Sequence, residues 1–209
     1  MEEIKTVESG EPLVDLAEYC PGLIIDIGVD PSGRKRKAYL RKTVAEMICR
    51  AKSYLPDGMT FIIGDAWRSK EVQERNILFF HNMFAKNHPE WTAERVKEEA
   101  ENYIAPAGGP IVSGHMTGGA VDLRLWKNGR KIPMKSWTLT YQENSKSDQP
   151  KLPEFIKKNR EIMFRALEKA GLSNYPLEFW HWSYGDWQWA KRNGKHTAIY
   201  GVIEKLPSA

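Results

Sequence analysis

The chain has 209 residues, 41% of them hydrophobic, with 31 basic and 27 acidic side chains and a formal net charge of +4. That length supports one hydrophobic core without disulfide staples, so a single domain over 1–209 is expected, with residues 1–20 free to run extended. The near balance of charge excludes a nucleic-acid-binding protein, and no apolar run is long enough to cross a bilayer.

The chain opens with Glu2, Glu3, Glu8, Glu11, Asp15 and Glu18, without a basic start or an apolar export segment, which predicts a cytoplasmic protein. Leu23 to Gly28 reads as a first strand. Residues from Tyr39 to Tyr54 read as a helix with Leu40, Val44, Met47 and Ile48 on one face, stopped by Pro56-Asp57-Gly58. Met59 to Gly64 is then a short buried strand that delivers Asp65, Trp67 and Arg68. Ser69 and Thr92 are positioned to cap two further helices, and Ala107-Gly108-Gly109-Pro110 breaks the chain.

From Ala120 to Leu125 the residues alternate, placing Val121, Leu123 and Leu125 inward and Asp122 on the opposite face. A helix over 153–170 carries Phe155, Ile156, Ile162, Met163, Ala166 and Leu167 as its apolar stripe. A strand over 175–182 and a last strand over 196–203 complete an α+β arrangement, a mostly antiparallel sheet covered by helices. Trp180, Trp182, Trp187 and Trp189 are expected in the core and as pocket walls. Cys20 and Cys49 have no metal or redox spacing and are expected to remain thiols.

The chemistry concentrates in two stretches, Ser113 to Asp122 and Glu178 to His181. His115 sits among glycines at 114, 118 and 119, where the backbone can turn sharply. His115, His181 and Asp122 are able to bind one metal, and three protein ligands leave a tetrahedral zinc one open position. Glu178 is a spare carboxylate able to take a proton from water. Its spacing of three from His181 is awkward, because a regular strand sends the two to opposite faces. The chain must bend near Trp180, or both residues must sit at the strand's end.

The pattern Ser113-x-His115-x-x-Gly118-x-Ala120-x-Asp122, followed by Glu178-x-x-His181, resembles the zinc D-alanyl-D-alanine dipeptidases. That family includes vancomycin-resistance enzymes and shares a fold with D-Ala-D-Ala carboxypeptidases and the hedgehog signalling domain. The resemblance runs from Leu23 to Trp182 and takes in Gly64-Asp65-Ala66-Trp67-Arg68 and Ile132-Pro133-Met134. It implies one Zn²⁺ per chain on His115, Asp122 and His181, with Glu178 as catalytic base and Arg68 stabilising the transition state. It also implies a small peptide substrate, D-Ala-D-Ala or a close relative, in cell-wall turnover or glycopeptide resistance.

Asp65 is expected to hold Arg68 or a ligand, and Ser113 to meet the substrate or brace the ligand turn. One departure stands out: Leu139 occupies the position of an aspartate that holds the substrate's amino group in the family, and Glu143 is the nearby candidate to replace it. This change bears on strict dipeptide specificity and leaves the hydrolytic machinery intact; two rivals stand beside the dipeptidase. One is a D,D- or L,D-carboxypeptidase or endopeptidase; the other is a non-catalytic zinc-stabilised binding module.

Overall fold

A computed structural model describes residues 4–108 and 111–206. Glu2, Glu3, Gly109 and Pro110 therefore lie outside the described residues. The chain begins with β1 (Lys5–Thr6), β2 (Leu13–Asp15), the one-turn α1 (Leu16–Tyr19), β3 (Ile24–Ile25) and β4 (Tyr39–Arg41). Next come α2 (Lys42–Ser53), β5 (Met59–Asp65), α3 (Lys70–Asn87), α4 (Ala93–Glu101) and the one-turn α5 (Gly114–Thr117). It continues through β6 (Ala120–Lys127), β7 (Arg130–Lys131), α6 (Tyr141–Ser145) and α7 (Glu154–Lys169). The remaining elements are β8 (Ser173–Tyr175), β9 (Glu178–Ser183), α8 (Trp187–Arg192) and β10 (Thr197–Ala198).

The sheet that carries the site runs β3-β5-β6-β9-β8, with β7 also paired to β6; only β3 and β5 are parallel. One face of it is the main core. Phe61, Ile63, Val121, Leu123 and Leu125 are fully buried there with Val44 and Ile48 of α2 and Met163 and Leu167 of α7. The alternation along β6 thus does what its sequence predicts, leaving Asp122 on the other face. Ser69 and Thr92 cap α3 and α4 by accepting from the Val72 and Arg95 amides. Those two helices build a second small core from Phe84, Val96, Ala100 and Ile104, with Phe80, Tyr103 and Tyr141 against it.

Several boundaries differ from the sequence expectation. Helix α2 starts at Lys42 because Tyr39–Arg41 pair with β2 instead. The expected strand over 175–182 is a hairpin, β8 and β9, broken at Pro176-Leu177, and the last strand shortens to Thr197–Ala198 on β1. Phe155 is 57% exposed, so the apolar stripe of α7 is narrower than its composition suggests. The four tryptophans do not gather into one cluster. Trp182 packs on Phe164, Trp180 on Phe179 and Tyr141, and Trp189 on Tyr184, while Lys191 lies over Trp187.

Buried Arg41 joins the chain's beginning to the turn that carries His115. Its guanidinium binds both Glu8 oxygens at 2.9 Å and donates to the Thr117 carbonyl at 2.8 Å, while its amide donates to the Gly118 carbonyl. Among the described residues no helix is long and apolar enough to cross a membrane.

Candidate active site

The site lies on the face of the sheet opposite the main core, and two irregularities in strand pairing create it. The first is at Gly64. Ile63 pairs with Leu123 and Asp65 with Asp122, so β5 carries one residue more than β6 between those pairs. This bulge turns Asp65 away from the core side, where Ile63 points, and sets it beside Asp122. Gly64 suits the close approach, since a Cβ there would sit 3.2 Å from the Arg124 guanidinium.

The second irregularity resolves the Glu178–His181 spacing. Asn174 pairs with Trp182 but Tyr175 pairs with Glu178, so Phe179, Trp180 and His181 form an expanded bulge in β9. The Asn174 side-chain amide spans it, reaching the carbonyls of Glu178, Phe179 and His181 at 3.1, 3.4 and 3.0 Å. The Ser147 hydroxyl donates in turn to the Asn174 carbonyl oxygen. With the bulge held open, Glu178 and His181 come to one side, and Glu178 Oε2 lies 3.9 Å from His181 Nδ1.

His115 arrives from a different direction, on the single turn α5. Gly118 closes that turn in the left-handed conformation at φ 71°, a place where a Cβ would strike Leu13. His115 Nδ1 lies 2.8 Å from the Ala66 carbonyl, an acceptor only, so Nδ1 carries a proton and Nε2 is the nitrogen turned to the other two residues.

The three candidate ligands then close a triangle. His115 Nε2 and His181 Nδ1 are 3.1 Å apart, and each is within 3.2 or 3.0 Å of Asp122 Oδ1. Zinc bonds of about 2.0–2.2 Å at tetrahedral angles set donor atoms about 3.3 Å apart, so the donor set fits that ion. The protonation states fit as well. Burial pushes the His181 imidazole towards its neutral form. Burial also opposes ionisation of Asp122, but His115 and His181 outweigh it and hold the carboxyl well below its usual range. Neutral imidazole and ionised carboxylate are the forms a metal requires.

Glu178 behaves differently. It is buried, and burial together with repulsion from Asp122 holds its carboxyl well above the ordinary range, against the pull of Arg68 and Lys135. Two carboxylates in one site thus have opposite tendencies, a pattern typical of acid–base sites. Arg68 is also buried. It donates to Asp65 at 2.8 Å and to Gln73 at 3.2 Å, and its Nη2 lies 3.6 Å from Asp122 Oδ2. Asp65 is shared with Arg36 at 2.8 Å, and these cations with His115 overcome burial to keep its carboxyl below the usual range.

Arg68, Ser113, His115, Glu178 and His181 line one recess together with Glu101, Tyr175 and Gln188. Ser113 reaches it while leaving α5 without a side-chain cap. Glu143 is not brought to the site. Its carboxylate completes a capping box with Thr140 and pairs with Lys151 at 2.8 Å, so it is committed elsewhere. Sequence reasoning missed Asn174, Arg36 and Gln73. No motif marks them: Arg36 reaches Asp65 from another part of the chain, and Asn174 and Gln73 meet their near neighbours only once the β9 bulge and the start of α3 have formed.

Asn174→Ala should take a donor from three partly buried carbonyls and let the bulge relax. A support of this kind is worth about 10–100-fold in metal affinity or activity. Zinc titration and turnover should both show the loss; a variant that kept wild-type values in both would remove Asn174 from the architecture of the site.

Known proteins resemble this chain along most of its length. A D-alanyl-D-alanine dipeptidase of Synechocystis sp. is 26% identical over 232 residues, spanning 94% of this chain and 94% of that one. Among solved structures, a mutant of the vancomycin-resistance D,D-pentapeptidase VanY, in complex with Zn(II), matches with a TM-score of 0.50 at 16% identity, over 91% of this chain and 92% of that one. VanYB in complex with D-alanine-D-alanine matches equally, at 0.50 and 16%, over 92% and 93%. At that identity these two structures speak for the fold alone. The family profile described as D-ala-D-ala dipeptidase matches residues 31–199, and the chain belongs to that family.

Proposed function

We propose that this protein is a zinc peptidase that hydrolyses D-Ala-D-Ala or a closely related dipeptide, serving cell-wall turnover or glycopeptide resistance. The observation that carries the proposal is the triangle of His115, Asp122 and His181 donor atoms, with Glu178 3.9 Å from the His181 nitrogen and Arg68 3.6 Å from the second oxygen of Asp122. When bound, zinc supplies a Lewis acid that polarises the peptide carbonyl and acidifies water. Glu178 accepts the proton of the attacking water and delivers it to the departing amine nitrogen. Arg68 donates hydrogen bonds to the oxygen on which negative charge develops, its fork aimed by Asp65 and Gln73. Both groups argue against a purely structural zinc module, which needs neither.

Arg68→Ala should lower turnover by about 10²–10³, the cost of one oxyanion donor. Lysine should rescue little of it, because a point charge cannot replace a rigid fork held on two partners. Full recovery with lysine would mean that charge alone matters there.

A second reading, a D,D- or L,D-carboxypeptidase or endopeptidase, has one observation in its favour. The recess shares Glu101, Ala105, Tyr175 and Gln188 with a groove of about 670 Å³ that continues past Ile111, Pro176 and Trp187. That groove has room for a longer chain. Purified zinc-loaded protein should be assayed on D-Ala-D-Ala, L-Ala-L-Ala and a longer peptide ending in D-Ala-D-Ala. Cleavage of the first alone supports the dipeptidase, and preference for the longest would replace it with the second reading.

We also infer that 1–209 is one zinc peptidase domain, supported by a main core that draws on residues from Leu16 to Tyr200. A cytoplasmic location suits two cysteines that remain free thiols.

A further inference from the structure

Beside Asp122, and separate from the recess, lies a second pocket. It has a volume of about 180 Å³ and is lined by Gly64, Asp65, Asp122, Leu123, Arg124, Lys135 and Trp180. Both of its acids are already engaged. Asp65 is paired with Arg36 and Arg68, and Asp122 with the two histidines. Its two cations form no ion pair among the described residues, and act on carboxylates only at longer range, Lys135 on Glu178 and Arg124 on Asp26.

Lys135 is also placed with some care by its surroundings. The residues on either side of it are clamped. Arg160 donates to the Met134 carbonyl at 2.9 and 2.7 Å, and Asn144 accepts from the Ser136 amide at 2.7 Å and returns a bond to the Ser136 carbonyl at 2.8 Å. Its ammonium lies 4.5 Å from the centre of the Trp180 ring and 5.4 Å from that of Tyr141. The residue as a whole is exposed, yet partial burial of its ammonium, with Arg124 and Arg160 nearby, disfavours the charge there. An anchored ammonium, beside a second cation and next to the reacting centre, is a site prepared for an anion.

We infer that Lys135, assisted by Arg124, is a specificity-determining residue that binds a carboxylate of the substrate. Given the hydrolytic function proposed above, that carboxylate has two sources. One is the C-terminal carboxylate of the dipeptide; the other is an acidic side chain on the residue before the cleaved bond. The pocket's size suits one small residue in either case.

The test compares wild type with Lys135→Met, which keeps a stem of similar length against Trp180, and with Lys135→Arg, which keeps the charge. Substrates are D-Ala-D-Ala, its C-terminal amide and D-Glu-D-Ala. Lys135→Met should raise KM about tenfold for the recognised carboxylate, at the low end for a hydrogen bond to a charged group, while kcat changes little and Lys135→Arg stays near wild type. If the C-terminal carboxylate is the ligand, amidation should raise the wild-type KM and leave the methionine variant indifferent. If a side chain is the ligand, wild type should prefer D-Glu-D-Ala and the variant should lose that preference.

Unchanged KM values for all three substrates in Lys135→Met would overturn the assignment. Hydrolysis of none of them by wild type would instead count against the proposed function. In that event calorimetry of D-alanine, D-alaninamide and D-glutamate binding to zinc-loaded protein still decides the carboxylate site. Discrimination by carboxylate that disappears in Lys135→Met supports it, and equal binding by both proteins refutes it.

Discussion

Glu178→Gln should retain a full equivalent of zinc and lose about 10²–10⁴ in turnover, the scale of a positioned general base. The amide preserves the shape of a buried side chain and its packing inside the β9 bulge but cannot accept the proton of an attacking water. No described carboxylate other than Asp122, Glu101 and Asp65 lines the pockets around the histidines, and Asp122 and Asp65 are held by their own partners. Loss of zinc along with turnover would make Glu178 a ligand or a support, and near-normal turnover would require a different base.

The environment of Glu178 also sets a pH dependence. Burial raises its carboxyl, and repulsion from Asp122 adds to this in the metal-free protein. A bound divalent cation with one carboxylate ligand is net positive and opposes both effects, so this dependence belongs to the metal-free protein. The same shift affects stability. In the metal-free protein the unfolded chain releases this proton first, so stability falls as pH rises from about 4.3 towards the raised value. Glu178→Gln should remove that component, and its melting temperature relative to wild type should improve across that window.

Which parts of this site were legible in the sequence follows from how locally each was encoded. The side of β6 occupied by Asp122 came from a period-two alternation that six consecutive residues carry. The sharp turn under His115 came from glycines within four residues of it. The caps at Ser69 and Thr92 were equally local. The Glu178–His181 geometry was not, because the bulge that reconciles their spacing depends on Asn174, on the neighbouring strand, and on Ser147 beyond it. The Gly64 bulge is of the same kind, visible only once β5 and β6 are paired.

Glu143 teaches a different lesson. Its nearness in sequence to the missing aspartate suggested a substrate contact, yet Thr140-x-x-Glu143 is itself a helix-start signature. The local signal was present and outweighed the analogy. Lys135, two residues before the exposed Trp137, carried no signal at all until Trp180 and Tyr141 were seen beneath its ammonium.

Asp122→Asn should release zinc and take turnover with it. The substitution is nearly isosteric but removes the only negative charge in the triangle, leaving two neutral imidazoles to hold a divalent cation. It also loosens Arg68, whose Nη2 lies 3.6 Å from the other Asp122 oxygen. The loss should be visible without any assay of activity. At a free zinc concentration of about 1,000 times Kd, binding to the folded state alone stabilises it by about 4 kcal/mol. For a chain of this size that is a rise of about 8–16 °C in Tm. Wild type should show such a rise when zinc is restored after chelation, and Asp122→Asn should show little of it, with elemental analysis reporting well under one zinc per chain. The zinc-binding assignment fails if Asp122→Asn keeps a full equivalent of zinc and melts with the zinc-loaded wild type. If turnover is lost all the same, Asp122 acts through the placement of Arg68 and not as a zinc ligand.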